Sequence, residues 1–359
     1  MRVVISPYRI CPIGAHSDHQ GGPTLGMAVS AHTVLKFTAE ASPRIHLTSD
    51  NFPGDVTIDL ETLSSVDEHD DWGRYVAAAA LVLRDRLPRP AVGLRGRVQG
   101  TLPGGGLSSS ASVLLAYLTA LADVNDVTLS PSEKVELALR AEREFVGIKV
   151  GILDPAAIVG ARRGYLLRID SRAGRWEPMP LGDDAPRFQI LVAATGITRN
   201  LAGTDYNRRV EECFAACTQL AAFAGREDIA GLHDLDDEVF EEFGDRLARA
   251  EFLRARHFFT ERARVLRGTE LWKQGDLEGF GELMNASCQS SIENWEAGSP
   301  ELIELQRTLE RTEGVYGSRF SGAGFGGCVV ALVKDVAAVA DKLPVKVFAV
   351  ESDDGVRVL

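Results

Sequence analysis

Residues 103–112 read PGGGLSSSAS, and how that stretch folds decides much of the rest. Three glycines let a backbone turn with its N–H groups exposed, and the serines that follow open a helix whose positive end faces the turn. That combination makes a phosphate cradle from amides and a helix dipole. It is not the Walker pattern, because no Lys-Ser or Lys-Thr follows the glycines. A second glycine loop, FSGAGFGGC, lies far away at residues 320–328. A third unusual stretch sits near the N-terminus: YRICPIGAHSDHQGG, residues 8–22, packs His16, Asp18 and His19 between glycines, with the small Ala15 just before the first histidine.

The chain around these stretches is 359 residues long, enough for two domains, since single cores rarely exceed about 250 to 300 residues. Apolar content of 45% and charged content of 25% belong to a globular protein. A net charge of −12 argues against nucleic acid or an anionic membrane surface as partner, without opposing a small anion in a locally positive cleft. The five cysteines (Cys11, Cys213, Cys217, Cys288 and Cys328) form no CxxC pair, which fits reduced thiols in a cytoplasmic protein. RVVIS at residues 2–6 has no charged n-region followed by an apolar h-region, so no signal peptide is expected, and no apolar run approaches a membrane span.

The first ~100 residues read as short strands between turns: residues 2–6, 32–39, 44–50, 55–60 and 93–100 alternate or carry β-branched side chains. One helix interrupts them from near Trp72. A helix follows the first glycine loop to about Leu121, and another starts with Ser130 as N-cap and Pro131 at N1. Near Pro180 to Pro186 the pattern changes, and FQILVAAT at 188–195 opens a second unit with helices expected at 205–224, 246–274, 276–293 and 300–312. The stretch after the second glycine loop reads as strand or helix start, and VKVFAV at 345–350 as a strand. Strands and helices mix without βαβ alternation, which favours α+β, divided as 1–185 and 186–359.

The three glycine-bearing stretches, in this order, resemble the GHMP small-molecule kinases, and the N-terminal one resembles the signature of the galactokinase-like sugar kinases. WGRYV (72–76), AEREFVGIKVGILD (141–154) and DYNRRVEEC (205–213) extend the likeness over nearly the whole chain. The resemblance implies an N-terminal domain like ribosomal protein S5 domain 2, a ferredoxin-like C-terminal domain, and an active site between them using ATP and Mg2+. It implies Asp154 as catalytic base and Arg9 as the cation beside it. Pro103, Gly104, Gly105, Gly106, Leu107, Ser108, Ser109 and Ser110 would cradle the nucleotide phosphates, with Trp72 and Tyr75 at its base. Ser110 and Glu142 would bind Mg2+, as hard oxygen donors suit that ion. His16, Asp18 and Tyr206 would hold sugar hydroxyls. A metal pair of His16 and His19 is the alternative for the histidines, with no third ligand at suitable spacing.

Ala15 departs from the galactokinase pattern, which has glutamate there. A carboxylate at that position would repel a substrate whose C6 is itself a carboxylate, and alanine removes the repulsion. The galacturonokinases are similar in this respect, and SSIEN (290–294) and residues 314–325 agree with them as well. The expected reaction is therefore phosphorylation of D-galacturonate at its anomeric hydroxyl, giving the α-1-phosphate. Galactose, arabinose, glucuronate or a heptose are alternative acceptors, and a catalytically silent sugar sensor is the alternative from another class. A uronate pocket should supply a cation, for which Lys149 and Arg199 are candidates. The partners implied are a sugar and ATP, with the protein a monomer or small homo-oligomer.

Overall fold

The fold is seen in a computed structural model that describes residues 1–67, 69, 72–102, 105–196, 205–324 and 326–359. Its spine is a pair of long antiparallel strands, β1 (Arg2–Ile13) and β2 (Pro23–Glu40). β3 (Arg44–Ser49) and β4 (Asp55–Asp59) follow, then helix α1 (Gly73–Leu83), β5 (Gly93–Gly100) and helix α2 (Ser109–Val124). Helix α3 (Pro131–Arg140) begins as its sequence dictates: the Ser130 hydroxyl accepts from Glu133 N–H, the Glu133 carboxylate accepts from Ser130 N–H, and Pro131 sits in the first turn. It runs into a π-helical turn, Ala141–Val146, and then helix α4 (Leu153–Gly160). The hairpin β6 (Tyr165–Asp170) and β7 (Arg175–Pro180) completes this half.

β2 is long enough to serve two neighbours on one edge. Its first residues pair with β6 and its last eight with β5, while β1 lines the other edge. The buried face of the sheet carries Leu35, Phe37, Leu47 and Leu94, and α1 and α2 cover it with Val76, Leu83, Leu114 and Leu118. Burying side chains of this size contributes about 1.5 to 3 kcal/mol each, so this layer fixes where the helix starts point.

The second half opens with β8 (Gln189–Ala194), followed by helices α5 (Tyr206–Phe223), α6 (Asp237–Phe243), α7 (Arg249–Gln274), α8 (Leu277–Glu293) and α9 (Pro300–Glu310). β9 (Val315–Phe320), β10 (Cys328–Val333), helix α10 (Val336–Ala340) and β11 (Lys346–Val350) finish a four-stranded antiparallel sheet ordered β11-β8-β10-β9. The segment after the second glycine loop is thus a strand, and the four long helices start and stop within three residues of expectation. α8 lies directly on β9: a Cβ on Gly281 would stand 1.9 Å from the Tyr316 carbonyl oxygen, so only glycine permits the contact. Among the described residues no helix is long and apolar enough to cross a membrane.

The C-terminus then returns to the first sheet. β12 (Arg357–Val358) pairs antiparallel with β1, and Asp353, buried at 1% exposure, is clamped by His32 at 2.6 Å, Arg163 at 2.6 Å and Arg357 at 3.2 Å. Burial opposes ionisation of Asp353, yet the His32 and Arg357 contacts outweigh it, and its pKa lies below the usual carboxylate value. A depressed native pKa means the unfolded chain takes up this proton first. The clamp's stabilisation is therefore complete above the ordinary carboxylate pKa and is lost as pH falls through the native one. Asp353→Asn is expected to lower stability by about 1 to 3 kcal/mol at neutral pH, seen as a lower urea midpoint at unchanged slope. The gap between variant and parent should shrink in acid.

Candidate active site

A cleft of about 780 Å³ opens where β1 ends, where α2 and α4 begin, and where the loop joining β9 to β10 folds over them. Its lining includes Arg9, Ala15, His16, Asp18, Trp72, Tyr75, Ser110, Asp154 and Tyr206, so residues spread over nearly 200 positions of sequence meet around one space.

Asp154 lies in the first turn of α4, and Arg9 extends from β1 towards it. Arg9 Nε donates to Asp154 Oδ1 at 2.7 Å, and Nη1 donates to the Gly106 carbonyl and to Ser321 Oγ, both at 3.2 Å. Burial works against the guanidinium charge, but the Asp154 carboxylate more than offsets it and raises the Arg9 pKa above its ordinary value. The Ser108 hydroxyl donates to the other oxygen, Asp154 Oδ2. Both carboxylate oxygens are thus held by donors while the group remains about one-fifth exposed to the cleft. A carboxylate held in place this way can accept a proton and orient a hydroxyl.

The two glycine loops touch through their backbones. A Cβ on Gly105 would stand 2.7 Å from Gly327 Cα, and one on Gly327, at φ +99°, would stand 2.5 Å from the Gly105 carbonyl carbon. Side chains at either place would force the loops apart, so the glycines bring main-chain N–H groups and the start of α2 to one spot. Of the residues expected in this cradle, Gly105, Gly106, Ser108, Ser109 and Ser110 line the cleft. Leu107 does not: its side chain is buried in the core below, while its carbonyl accepts from Arg9 N–H at 3.2 Å. Pro103 and Gly104 lie outside the described residues.

Behind the cradle, the π-helical turn brings the Glu142 carboxyl inward to the Ser110 hydroxyl. Burial first, and then the Asp154 charge, push the Glu142 pKa up to about 8. Its Oε2 is buried with no hydrogen-bond partner. An orphaned carboxylate oxygen beside a hydroxyl, in a pocket short of positive charge, fits a hard divalent cation. Among the described residues no group of three or more His, Cys, Asp and Glu gathers as a metal site, so a cation here would take its remaining ligands from a bound molecule and water. At the far end of the cleft Trp72 and Tyr75 flank the space. Trp72 is also packed into the helix–sheet core, with Nε1 donating to the Pro53 carbonyl at 3.4 Å.

The opposite end carries the N-terminal cluster. Asp18 accepts from Leu153 N–H at 3.0 Å, at the start of α4; burial, and then the neighbouring Asp154, raise its pKa, and the Leu153 bond works the other way. His16 sits in a left-handed conformation at φ +64° with Nε2 lacking a hydrogen-bond partner. Burial, then the nearby His257 and Arg319, hold its pKa well below the ordinary value, so the ring is neutral. Tyr206, buried at the head of α5, faces the same space. Ala15 lines the cleft and packs its methyl group among Cys11, Leu153 and Ala156.

Sequence reasoning passed over the residues that hold this cluster. Trp295 stacks on His16 with ring centroids 4.9 Å apart and planes 4° from parallel. His257 donates from Nε2 to the Ala15 carbonyl at 2.9 Å, which leaves Nδ1 to accept from the Ser290 hydroxyl at 2.9 Å. The fully buried Glu261 accepts from Gly14 N–H at 2.7 Å, from Ser287 Oγ at 2.9 Å and from Arg264 Nε at 2.6 Å, and Arg319 donates to the same Ser287. No local pattern marks Glu261 or Arg319, because their burial follows from the tertiary fold alone.

One candidate cation is not where it was expected. Lys149 points out of the cleft, half-exposed, with Nζ 2.7 Å from the surface carboxylate of Glu211, because the extended segment after the π-helical turn sends Ile148 and Val150 inward and Lys149 outward. Arg199 lies outside the described residues. Among the described lining residues, Arg9 is the only lysine or arginine.

The chain is similar to known proteins over nearly its full length. Residues 74–161 match the family model for the GHMP kinases N terminal domain, and residues 269–349 that for the GHMP kinases C terminal. A galacturonokinase of Arabidopsis thaliana is 37% identical over 352 residues, covering 93% of this chain and 83% of that protein. A galactokinase of Thermococcus kodakarensis is 34% identical over 370 residues, covering 99% of both. The crystal structure of Lactococcus lactis galactokinase complexed with galactose superposes with a TM-score of 0.90 at 28% identity, covering 99% of this chain and 94% of that one. The mevalonate kinase of Methanococcus jannaschii shares the fold at a TM-score of 0.70 and 18% identity, over 98% of each chain. With the family models matching in both halves and relatives similar over nearly the whole length, this chain belongs to the GHMP kinases, and within them to the sugar kinases.

Proposed function

We propose that this kinase transfers the γ-phosphoryl group of ATP to the anomeric hydroxyl of D-galacturonate, giving the α-1-phosphate and ADP. The observation that carries the choice of sugar is Ala15, a methyl group on the cleft wall where a side-chain carboxylate would repel an acidic C6. The galacturonokinase relative adds weight to it.

In this reading Asp154 orients the anomeric hydroxyl and accepts its proton, through lone pairs that Arg9 and Ser108 leave free. Arg9 holds Asp154 in place and stands where negative charge develops during transfer. His16, neutral and with a free ring nitrogen, and Tyr206 bind sugar hydroxyls as donors or acceptors, and Asp18 accepts from one. The amides of both glycine loops and the N-terminus of α2 receive the phosphates, and Trp72 and Tyr75 flank the base. Ser110 and Glu142 would hold Mg2+, which when bound neutralises phosphate charge and restores the ionised form of Glu142.

Galactose is the second reading, favoured by a specific feature. The only lysine or arginine among the described lining residues, Arg9, is already paired with Asp154, and a neutral hexose needs no further cation.

An ADP-release assay over galacturonate, galactose, glucuronate, arabinose and a heptose separates the readings. Galacturonate is expected to give the highest kcat/KM; galactose turned over as well or better would overturn the uronate assignment. Ala15→Glu is expected to cut kcat/KM for galacturonate by at least about tenfold more than for galactose, a difference of ~1.4 kcal/mol. Equal losses would show that Ala15 does not select. Asp154→Asn should lower kcat by about 10² to 10⁴ while ATP affinity, followed by calorimetry, stays within a few-fold.

A further inference from the structure

Ser108 carries two constraints that a phosphate cradle leaves unexplained. Its backbone is left-handed, φ +54° and ψ +47°, directly before the first residue of α2, a conformation in which a Cβ crowds the neighbouring carbonyl. Among the described residues, five non-glycine residues have positive φ: His16, Ser108, Asp126, Asp228 and Glu296. Aspartate tolerates this region because its short side chain bonds locally. Serine before a helix ordinarily earns its place by capping, and Ser108 makes no side-chain cap. Its hydroxyl leaves the helix and donates to Asp154 Oδ2, 46 residues away in sequence. Held strain of this kind persists where surrounding structure fixes it, and it concentrates at functional sites.

The geometry around Asp154 gives the strain a purpose. Arg9 Nε holds one carboxylate oxygen and the Ser108 hydroxyl the other. A single donor would leave the carboxylate plane free to swing about its Cβ–Cγ bond. Two donors on opposite oxygens fix the plane and still leave lone pairs for an acceptor hydroxyl. Gly106, whose carbonyl also receives Arg9, is two residues from Ser108, so one short loop braces both donors.

We propose that Ser108 is a positioning residue for phosphoryl transfer: its left-handed backbone aims the hydroxyl at Asp154 and fixes the carboxylate plane against Arg9. The proposal rests on the reading of Asp154 as the base. It separates the role of Ser108 from that of the neighbouring cradle residues, because its hydroxyl serves the acceptor side and not the nucleotide.

The test compares Ser108→Gly and Ser108→Ala with the parent, measuring kcat, KM for sugar, KM for ATP and thermal midpoint, with Asp154→Asn assayed alongside. Glycine keeps the left-handed backbone without strain and removes the hydroxyl; alanine removes the hydroxyl and keeps the strain. Both should lose about tenfold or more in kcat, with KM for ATP within about threefold of the parent, whereas Ser108→Gly should melt above Ser108→Ala. A variant as stable as the parent yet slower is what a merely structural serine would not produce. The proposal is overturned if Ser108→Gly keeps kcat within about twofold, or if its loss lies wholly in KM for ATP. It is overturned in its strain component if Ser108→Gly melts below Ser108→Ala. Undiminished turnover by Asp154→Asn would instead remove the base assignment itself.

Discussion

The Arg9 guanidinium, 3% exposed, is the constraint to which the site is built. An unpaired charge at that depth would cost many kcal/mol, so every direction it points must end in an acceptor. Those acceptors come from α4 (Asp154), from the first glycine loop (the Gly106 carbonyl) and from the second half of the chain (Ser321 Oγ). One side chain on β1 thereby fixes Asp154, the first glycine loop and the loop between β9 and β10 relative to one another. The arrangement preorganises a negative group next to a positive one in a partly desolvated cleft, where electrostatic stabilisation of a moving phosphoryl is strongest.

A second buried network does the same for the N-terminal cluster around His16, and its side chains belong entirely to α7, α8 and β9. Glu261 is fully buried, accepts from the Gly14 amide, and is balanced by Arg264 and, through Ser287, by Arg319. His257 holds the next carbonyl, that of Ala15. The loop that carries Ala15, His16 and Asp18 therefore has its main chain gripped from the opposite half of the molecule, while these residues line the cleft. Satisfied networks of this kind specify one geometry and tolerate little loss. They explain why His16 can stay in a left-handed conformation: the turn on either side of it is not free to relax.

What the sequence disclosed and what it hid divide along physical lines. Local chemistry was legible. The capped start of α3, the long helices and the glycine loops each announce themselves within a few residues, because caps, periodicity and turns are local effects. The π-helical turn was not legible, and it decides which of Glu142 and Lys149 faces inward: one extra residue in the turn rotates everything after it. The return of β12 to β1 depends on a clamp between Asp353 and residues over 150 positions away, which no window of sequence contains. Trp295 and His257 read as ordinary helix and loop residues, since only the tertiary fold puts their rings against His16.

Substrate choice in such a cleft is a matter of what is left out as much as what is provided. The lining already holds two carboxyls, Asp18 and Asp154, and the one described basic side chain is committed to the second. A third carboxylate on the wall would make the pocket hostile to any acidic sugar, whatever hydroxyl contacts it offered. Alanine at position 15 removes that penalty without adding an attraction, and the surrounding main chain, held by Glu261 and His257, does not collapse into the space. The unpartnered Nε2 of a neutral His16 offers the cleft a polar contact without charge. On this view selection for a uronate needs no dedicated lysine or arginine on the described wall. It needs the absence of repulsion at one residue and a loop rigid enough to preserve the vacancy.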